Sequence, residues 1–354
     1  MNTMLHMGAL ALTAVAASYL GVAIIRCWAS RAQMLDVPNE RSLHTRPTPR
    51  GGGLAIVVVV LVLAWLAALS NPAFSWRAIV ALTLGAVLIA GVSWWDDLRP
   101  VSFWVRLLVH ALGACVAMAG IGIIREIGMP FGIDHASGLT SLPLGWLGFP
   151  LTLVWIVGLT NAYNFMDGID GIAGGQAVVA GVGWAILGWI GGQPLVGVVG
   201  LLIAAASLGF LGHNWPPARI FMGDVGSAFL GFAFAALTVR ASQSNPVFVL
   251  AGIALIWPFV FDAVFTFARR LCRGEKIWAA HRSHLYQRLV ISGLSHAQVS
   301  GLYIGLAMLG LVWAVVLVQG WSYLAVTVAI VALVAALSLW AWTCQRERSR
   351  RLLT

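Results

Sequence analysis

Long apolar segments separated by short polar ones run along the whole chain. Eleven of them approach the roughly 20 residues that a helix needs to cross a bilayer. They lie at about residues 4–25, 51–70, 77–95, 102–120, 147–163, 174–190, 195–212, 226–240, 247–268, 300–318 and 323–343. Charged residues make up only 9% of the 354, against about 25% in a soluble domain. The pattern predicts an all-α polytopic integral membrane protein, with about 11 transmembrane helices in one bundle that forms a single domain over residues 1–354.

Positive charge predicts the orientation of this bundle. An odd number of spans puts the termini on opposite sides, and six segments are assigned to the cytoplasm: 26–50, 96–106, 161–175, 213–224, 269–298 and the tail 344–354. Only Arg77, Arg125 and Arg240 of the 21 Lys and Arg residues then lie outside, as the positive-inside rule requires. The N-terminus is therefore expected to be periplasmic and the C-terminus cytoplasmic. The first span has no Lys or Arg before Arg26, so we expect a retained helix rather than a secretory signal.

The net charge of +9 thus belongs to the cytoplasmic face, where it suits anionic lipid headgroups and phosphates. Nucleic acid is not an expected partner, because the basic residues are spread over separate short loops. Residues 121–146 fit neither a span nor a short loop. Their repeated glycines and prolines predict a small extended hairpin on the external face.

Two amides and two carboxylates follow one apolar segment at regular spacing: Asn161, Asn164, Asp167 and Asp170. Such groups are costly at the edge of a membrane span and usually serve a function there. On a continuous helix a step of three residues turns about 300°, so neighbouring members of the series share a face. Glycines after each aspartate allow the helix to end and turn. We expect a helix end that opens into a tight loop, where all four side chains converge on one ligand. The alternative is a polar turn between two spans.

Further carboxylates lie in two other predicted cytoplasmic loops. Asp96 and Asp97 are adjacent, so on a helix they point about 100° apart and need not share a partner. Two carboxylates repel each other unless a cation is near, and Mg²⁺ takes carboxylate and phosphate oxygens together. The alternative for this pair is a solvated loop. Asp224 lies between Gly223 and Gly226 at the start of a span, where it is either an N-cap or part of a ligand site.

The first predicted cytoplasmic loop is basic. It contains Arg41, His44 and Arg46, and three successive glycines close it at the start of a span. Glycine-rich backbone at a helix N-terminus can approach and hold an anion. The loop therefore predicts a phosphate site, with a positive-inside anchor as the alternative.

A second basic loop contains His281, Arg282 and His284. Charge-assisted hydrogen bonds to phosphate suit it better than zinc, because no third soft ligand is evident. Asp262, inside a predicted span, is expected either to line the cavity or to pair with a basic residue. The other histidines are isolated in the sequence, without a comparable cluster of polar residues, and are predicted to have no role: His6, His110, His135 and His296.

Four motifs in this order resemble the polyprenyl-phosphate N-acetylhexosamine-1-phosphate transferases of glycosyltransferase family 4. They are Asp96–Asp97, the stretch 161–175, the sequence Phe-Met-Gly-Asp-Val-Gly-Ser at 221–227, and the histidine loop. The resemblance covers most of the chain, and the ordered set is far more specific than any one motif. It implies transfer of a sugar-1-phosphate from a UDP-N-acetyl amino sugar to undecaprenyl phosphate, with release of UMP. It also implies a multi-pass protein of the bacterial inner membrane with its site on the cytoplasmic face.

The resemblance assigns roles to the polar residues of the central segments. Asp224 and Asn164 would hold Mg²⁺ on the diphosphate, with Mn²⁺ as the alternative ion. Asp170, together with Asp167, would contact the uridine. Asn161 belongs to the same substrate-binding stretch.

The resemblance also implies that the remaining residues contact the phosphates or assist in substrate binding. Asp96 and Asp97 would act near the acceptor phosphate, with Arg106 on phosphate oxygens, where many relatives have lysine. His281 and His284 would steady the diphosphate. Arg41, His44, Arg46 and Arg282 would assist in substrate binding.

The histidine loop departs from one branch of this family. The peptidoglycan translocases typically have a denser histidine run than the His-Arg-Ser-His-Leu-Tyr-Gln found here. The chain looks more like the branch that starts O-antigen or other surface polysaccharides. The bilayer is an expected partner, and a homodimer is left open.

The chemistry can also be reasoned without the resemblance. A phosphate monoester is largely dianionic near neutral pH, since its second pKa is about 6, so the acceptor needs little general base. Neutralising charge and aligning the two phosphates should then supply most of the catalysis. We expect direct attack on the sugar-linked phosphorus, with a two-step route through a phosphorylated aspartate as the alternative.

Two other functional classes compete with an enzyme. A secondary transporter would also have many spans, but transporters place polar groups at mid-membrane and often show inverted repeats. Here the polar groups lie in predicted cytoplasmic loops. A non-enzymatic lipid-binding scaffold is the third class.

Overall fold

A computed structural model describes residues 2–38, 43–129, 141–275 and 281–351. These residues form helices with short connections and only two pairs of very short strands. The helices are α1 (Asn2–Arg31), α2 (Gly53–Ser70), α3 (Trp76–Leu98), α4 (Phe103–Ile121), α5 (Gly148–Phe165), α6 (Ile172–Ile190), α7 (Pro194–Asn214), α8 (Asp224–Ser242), α9 (Val247–Leu255), α10 (Trp257–Cys272), α11 (Leu285–Ile291), α12 (His296–Val318) and α13 (Ser322–Arg351). The strands are β1 (Leu35–Asp36), β2 (Thr48–Pro49), β3 (Glu126–Gly128) and β4 (Ser141–Pro143).

The predicted fold class is confirmed. Within the described residues, 10 helices are long and apolar enough to span a membrane, and the count rises to 11 if the bent pair α9–α10 is one span. An apolar segment of this length must satisfy its backbone hydrogen bonds internally in lipid, so it folds as a helix. Hydropathy therefore locates these elements well.

The segment 247–268 was predicted as one helix, and this is wrong, because it forms two helices. It is broken at Ile256, where α9 and α10 meet at 81°. Pro258 lies in the first turn of α10, where it is compatible with a helix start but removes a backbone donor that a continuous helix would need. The break redirects α10, so that Asp262 lies near the loop that precedes α11.

Helix α8 is the core of the bundle. Every residue from Val225 to Val239 is buried, and α2, α3, α5 and α9 pack around it. Helix α2 approaches it closely at their first turns, where a Cβ on Gly53 would lie 2.4 Å from the Gly226 Cα. Only glycine allows this contact, which holds the start of α2 against the start of α8.

The strands form two antiparallel hairpins at opposite ends of the bundle. Strands β3 and β4 pair from Glu126 with Pro143 to Gly128 with Ser141, which confirms the base of the hairpin predicted in 121–146. Residues 130–140 between them lie outside the described part of the chain. Strands β1 and β2 pair within the first polar loop, an element that was not predicted. This second hairpin lies at the end of the bundle where α5 ends and α8 begins.

Candidate active site

A polar cavity of about 300 Å³ opens at the end of the bundle that carries the β1–β2 hairpin. Its lining comes from the first loop, the end of α3, the α5–α6 and α7–α8 connections, and the starts of α11 and α12. The polar residues that line it are Asp36, His44, Arg50, Asp97, Asn164, Asp167, Asp170, Asn214, Asp224, Gln287 and His296. Six of these were predicted site residues from four distant parts of the sequence: His44, Asp97, Asn164, Asp167, Asp170 and Asp224.

Asp97 caps the N-terminus of α8. Its Oδ1 accepts a hydrogen bond from the Asp224 amide and its Oδ2 accepts one from the Val225 amide, each at 3.1 Å. The residue at the N-cap position is Gly223, whose φ of 78° favours glycine and which has no capping side chain. Of the two expectations for Asp224, the N-cap is therefore the one that the structure contradicts. Because Asp97 satisfies the orphan amides, the Asp224 carboxylate is left for other contacts.

Asp96 points away from its neighbour and joins an ion-pair chain. Its Oδ2 lies 2.5 Å from the Arg106 Nη1, which is also 3.2 Å from the Asp224 Oδ2. Its Oδ1 accepts a hydrogen bond from the Val101 amide at 2.6 Å. The expectation that adjacent aspartates have different partners is confirmed. One cation, Arg106, is thus shared by two carboxylates and is already neutralised.

The amide of Asn164 connects α5 to α8. The Ser227 hydroxyl donates to the Asn164 Oδ1 at 2.7 Å and also to the Gly223 carbonyl at 3.1 Å. Asn161 behaves differently, since its Nδ2 donates to the Val157 carbonyl at 2.7 Å and lies 3.3 Å from the His110 Nδ1. The prediction that all four polar side chains converge is correct for three of them and wrong for Asn161. Its side chain folds back on its own helix toward α4.

Asp170 is held by His296, a histidine that was predicted to have no role. The Asp170 Oδ2 accepts a hydrogen bond from the Ala218 amide at 3.0 Å and lies 3.3 Å from the His296 Nδ1. Burial alone would raise the pKa of Asp170, but its hydrogen bonds with His296 and the Ala218 amide outweigh burial and hold the pKa below its usual value. The prediction that His296 has no role is therefore wrong. Asp170 is an ionised acceptor at one wall of the cavity.

Asp167 has the opposite electrostatic environment. Burial raises the pKa of its carboxyl to about 8, and the negative charges of Asp224, Asp97 and Asp170 contribute in the same direction. The site therefore concentrates more negative charge than its own cations compensate. An added cation would relieve this repulsion.

Asp262 organises the histidine loop from a fully buried position. Its Oδ1 accepts the Leu285 amide at 2.8 Å, and its Oδ2 accepts the Tyr286 amide at 3.1 Å and the Tyr303 hydroxyl at 2.6 Å. The His284 Nδ1 lies 3.2 Å from the Oδ1. Of the two expectations for Asp262, pairing with a basic residue is the one the structure shows. The carboxylate fixes the start of α11 against α10 and α12.

The histidine loop reaches the cavity through Gln287 and not through its histidines. His281 and His284 lie side by side, with ring centroids 5.0 Å apart, and neither lines the cavity. The His281 Nδ1 lies 2.9 Å from the Ser283 Oγ.

Of the arginines predicted as site residues in the two basic loops, those that the structure describes do not line the cavity. Arg46 and Arg282 are exposed and lie outside the lining. Arg41 falls outside the described residues. Arg50 lines the cavity although it was not among the predicted site residues.

Oxygen ligands for a metal ion are available at the start of α8. Within the described ranges, no three His, Cys, Asp or Glu side chains form a metal site by themselves. Mg²⁺, however, is usually held by one or two carboxylates together with water and substrate phosphates. The Asp224 carboxylate and the Asn164 carbonyl, beside the like-charged cluster described above, fit an ion of this kind.

Comparison with known proteins gives a consistent result. The family model described as glycosyl transferase family 4 matches residues 79–242, from within α3 to the end of α8. A probable undecaprenyl-phosphate N-acetylglucosaminyl 1-phosphate transferase of Bacillus subtilis (strain 168) is 33% identical over 276 residues, covering 77% of this chain and 74% of the relative. A phospho-N-acetylmuramoyl-pentapeptide-transferase of Synechococcus sp. (strain JA-3-3Ab) is 31% identical, covering 82% and 86%. A decaprenyl-phosphate N-acetylglucosaminephosphotransferase of Mycobacterium tuberculosis (strain ATCC 25618 / H37Rv) is 29% identical, covering 81% and 76%.

Proposed function

This chain belongs to glycosyl transferase family 4, the polyprenyl-phosphate N-acetylhexosamine-1-phosphate transferases, and we propose that its donor is a UDP-N-acetyl amino sugar and its acceptor undecaprenyl phosphate. It is a multi-pass membrane enzyme of this transferase type. The proposed products are UMP and an undecaprenyl diphosphate sugar. We place the cavity on the cytoplasmic face of the bacterial inner membrane, where soluble UDP-sugars are found.

One observation carries the proposal. Carboxylates and amides from α3, α5, α8 and the connecting loops meet in a single cavity at one end of the bundle. A transporter would instead need its polar groups near the middle of the membrane. A cavity at the membrane surface can receive a soluble nucleotide sugar and a lipid phosphate together.

The roles proposed for the cavity residues follow from their surroundings. Asp170 is ionised and held in place by His296, so it can accept hydrogen bonds from a uridine ring or ribose. Asp224 and Asn164 lie together at the start of α8 and suit a divalent cation, Mg²⁺ or Mn²⁺. Such an ion would offset the negative charge of the substrate phosphates.

The proposed reaction is a single displacement. An oxygen of the lipid phosphate bonds to the sugar-linked phosphorus of the donor, and the bond from that phosphorus to the oxygen bridging the two phosphates breaks. UMP leaves with the bridging oxygen. No protein nucleophile is needed, because the acceptor is already an anion. Arg106 is engaged with Asp96 and Asp224, so it orients the Asp224 carboxylate.

We assign the enzyme to the start of O-antigen or another surface polysaccharide. The support is the loop at 281–287, which lacks the dense histidine run typical of peptidoglycan translocases. The donor that fits this branch is a UDP-N-acetylhexosamine.

Nucleotide release tests the proposed function. Purified protein would receive undecaprenyl phosphate, Mg²⁺ and each of a panel of UDP-N-acetyl sugars, and the released nucleotide would be identified. UMP that depends on both lipid and metal is expected, and the best donor names the sugar. Release of UDP would overturn the proposed bond cleavage, and release of no nucleotide from well-folded protein with any donor would overturn the assigned donor class.

Metal binding should depend on pH through Asp167. Its pKa of about 8 means that the carboxyl is protonated at lower pH, and a cation bound nearby favours the ionised form, so that metal binding is coupled to loss of this proton. The apparent affinity for Mn²⁺, measured by electron paramagnetic resonance, is expected to rise by up to about tenfold per pH unit below pH 8 and to level off above it. Asp167→Asn should flatten this dependence. An unchanged slope in the variant would show that Asp167 does not titrate with metal binding.

A further inference from the structure

We propose that Arg50 binds phosphate oxygens of the substrate in the cavity. This inference rests on the proposed function, because it assumes that a phosphorylated ligand enters the site. Arg50 carries no role in the sequence motifs and lies outside the region that the family model matches. It precedes the glycines that open α2, and it is one of the residues that line the cavity.

The guanidinium of Arg50 lacks a protein partner among the described residues. Its Nε is buried and makes no hydrogen bond, and no ion pair involves it in the described part of the chain. Arg106 and Arg288, in contrast, are both paired with carboxylates. A buried donor without an acceptor is costly. An arginine therefore rarely has an unpaired buried N–H unless a ligand supplies the acceptor.

The carboxylate that interacts most clearly with Arg50 is not free to pair with it. The positive charge of Arg50 interacts with the Asp97 carboxylate. Both oxygens of Asp97, however, accept hydrogen bonds from backbone amides at the start of α8. Asp97 therefore interacts with the charge of Arg50 without accepting a hydrogen bond from its guanidinium. The remaining donors can be offered to an anion.

The backbone around Arg50 is held rigidly against the loop that leads to Asp224. The Phe221 amide donates to the Pro49 carbonyl at 2.8 Å, and the Gly52 amide donates to the Phe221 carbonyl at 3.0 Å. The Gly53 amide donates to the Met222 carbonyl at 2.8 Å. These three bonds bracket Arg50 on both sides. They fix the backbone position of Arg50 relative to the start of α8.

The charge balance of the cavity points to the same role. Five aspartates line it, whereas Arg50 is the one lining residue in the described chain that carries a permanent positive charge. A diphosphate entering beside these aspartates needs positive charge, which a metal ion supplies only in part. The planar guanidinium can form two parallel hydrogen bonds to phosphate oxygens. Either the donor diphosphate or the acceptor monophosphate presents such oxygens.

The test compares ligands that differ only in phosphate. Binding of UDP, UMP, uridine and a short-chain prenyl phosphate would be measured by calorimetry on full-length protein in detergent with Mg²⁺. Arg50→Gln is expected to weaken UDP binding by about 10- to 100-fold, the usual effect of losing charge-assisted hydrogen bonds, and to leave uridine binding unchanged. Arg50→Lys should restore part of the affinity, because it keeps the charge but not the planar fork.

Arg31→Gln is the matched control. Arg31 lies in the same polar segment, 26–50, carries the same charge, is exposed and does not line the cavity. The control removes one positive charge from the same face of the protein, so a long-range electrostatic effect would appear in both variants. We expect wild-type affinities for all four ligands.

Each outcome decides the proposal. A loss confined to UDP and UMP identifies the donor phosphates, and a loss confined to the prenyl phosphate identifies the acceptor. Unchanged binding of every phosphorylated ligand to Arg50→Gln would overturn the proposal, as would an equal loss for uridine. If Arg50→Gln does not fold, Arg50→Lys decides through the same difference between UDP and uridine. Wild-type protein that binds UDP but releases no UMP would contradict the proposed function and leave this test intact.

Discussion

Replacing Asp224 with asparagine is expected to lower UMP release by about 10³-fold or more, because the variant loses a carboxylate that compensates charge where the diphosphate is cleaved. The fold should persist, since Asp97 caps α8 through the backbone amides at 224 and 225, which the substitution leaves in place. Steady-state UMP release, together with the melting temperature in detergent, separates the two effects.

Glu126→Gln is the control for this variant. It removes one carboxylate from the hairpin at the opposite end of the bundle, where it pairs with Ser141. Its rate should match that of the wild type. An Asp224→Asn rate above about one tenth of the wild-type rate would show that this carboxylate does not act on the reacting phosphates.

Replacing Asp262 with alanine is expected to destabilise the protein by about 3–5 kcal/mol, the range for removing one partner from a buried polar network. The Leu285 and Tyr286 amides would be left buried without an acceptor, and the start of α11 would lose its anchor. Thermal unfolding in detergent, followed by tryptophan fluorescence, measures the effect. The melting temperature should fall by several degrees or more.

Tyr303→Phe is the graded comparison. It removes one hydrogen bond to the same carboxylate, at 2.6 Å, and leaves the other partners in place. A loss of about 1 kcal/mol is expected. Equal melting temperatures for Asp262→Ala and the wild type would mean that the network does not hold α11.

The membrane helices were predictable because lipid leaves a long apolar segment no other structure. The break at Ile256 was missed, although Pro258 signalled it. The length of 247–268 suited a span, and a proline in a helix can mark either a kink or a start. The β1–β2 hairpin pairs only Leu35 with Pro49 and Asp36 with Thr48, which is too short for any periodicity.

The site residues were predictable where polar side chains lie beside long apolar segments of the sequence. Asn164, Asp167 and Asp224 stood out for this reason, and all three line the cavity. His296 could not be identified because its partner, Asp170, lies 126 residues away along the chain. Arg50 looked like the other arginines of its loop, and only the tertiary structure shows that its Nε is buried without a hydrogen-bond partner.

The cap that Asp97 provides for α8 has a consequence for biogenesis. The two residues joined by the first of its hydrogen bonds are 127 positions apart. At a synthesis rate of 5–20 residues per second, α3 leaves the ribosome on the order of 10 s before the start of α8. During this interval Asp97 has none of its final partners. Helix α8 has no capping side chain of its own, so the amides of its first turn gain these acceptors only when α8 packs against α3, and the candidate active site is completed late in helix assembly.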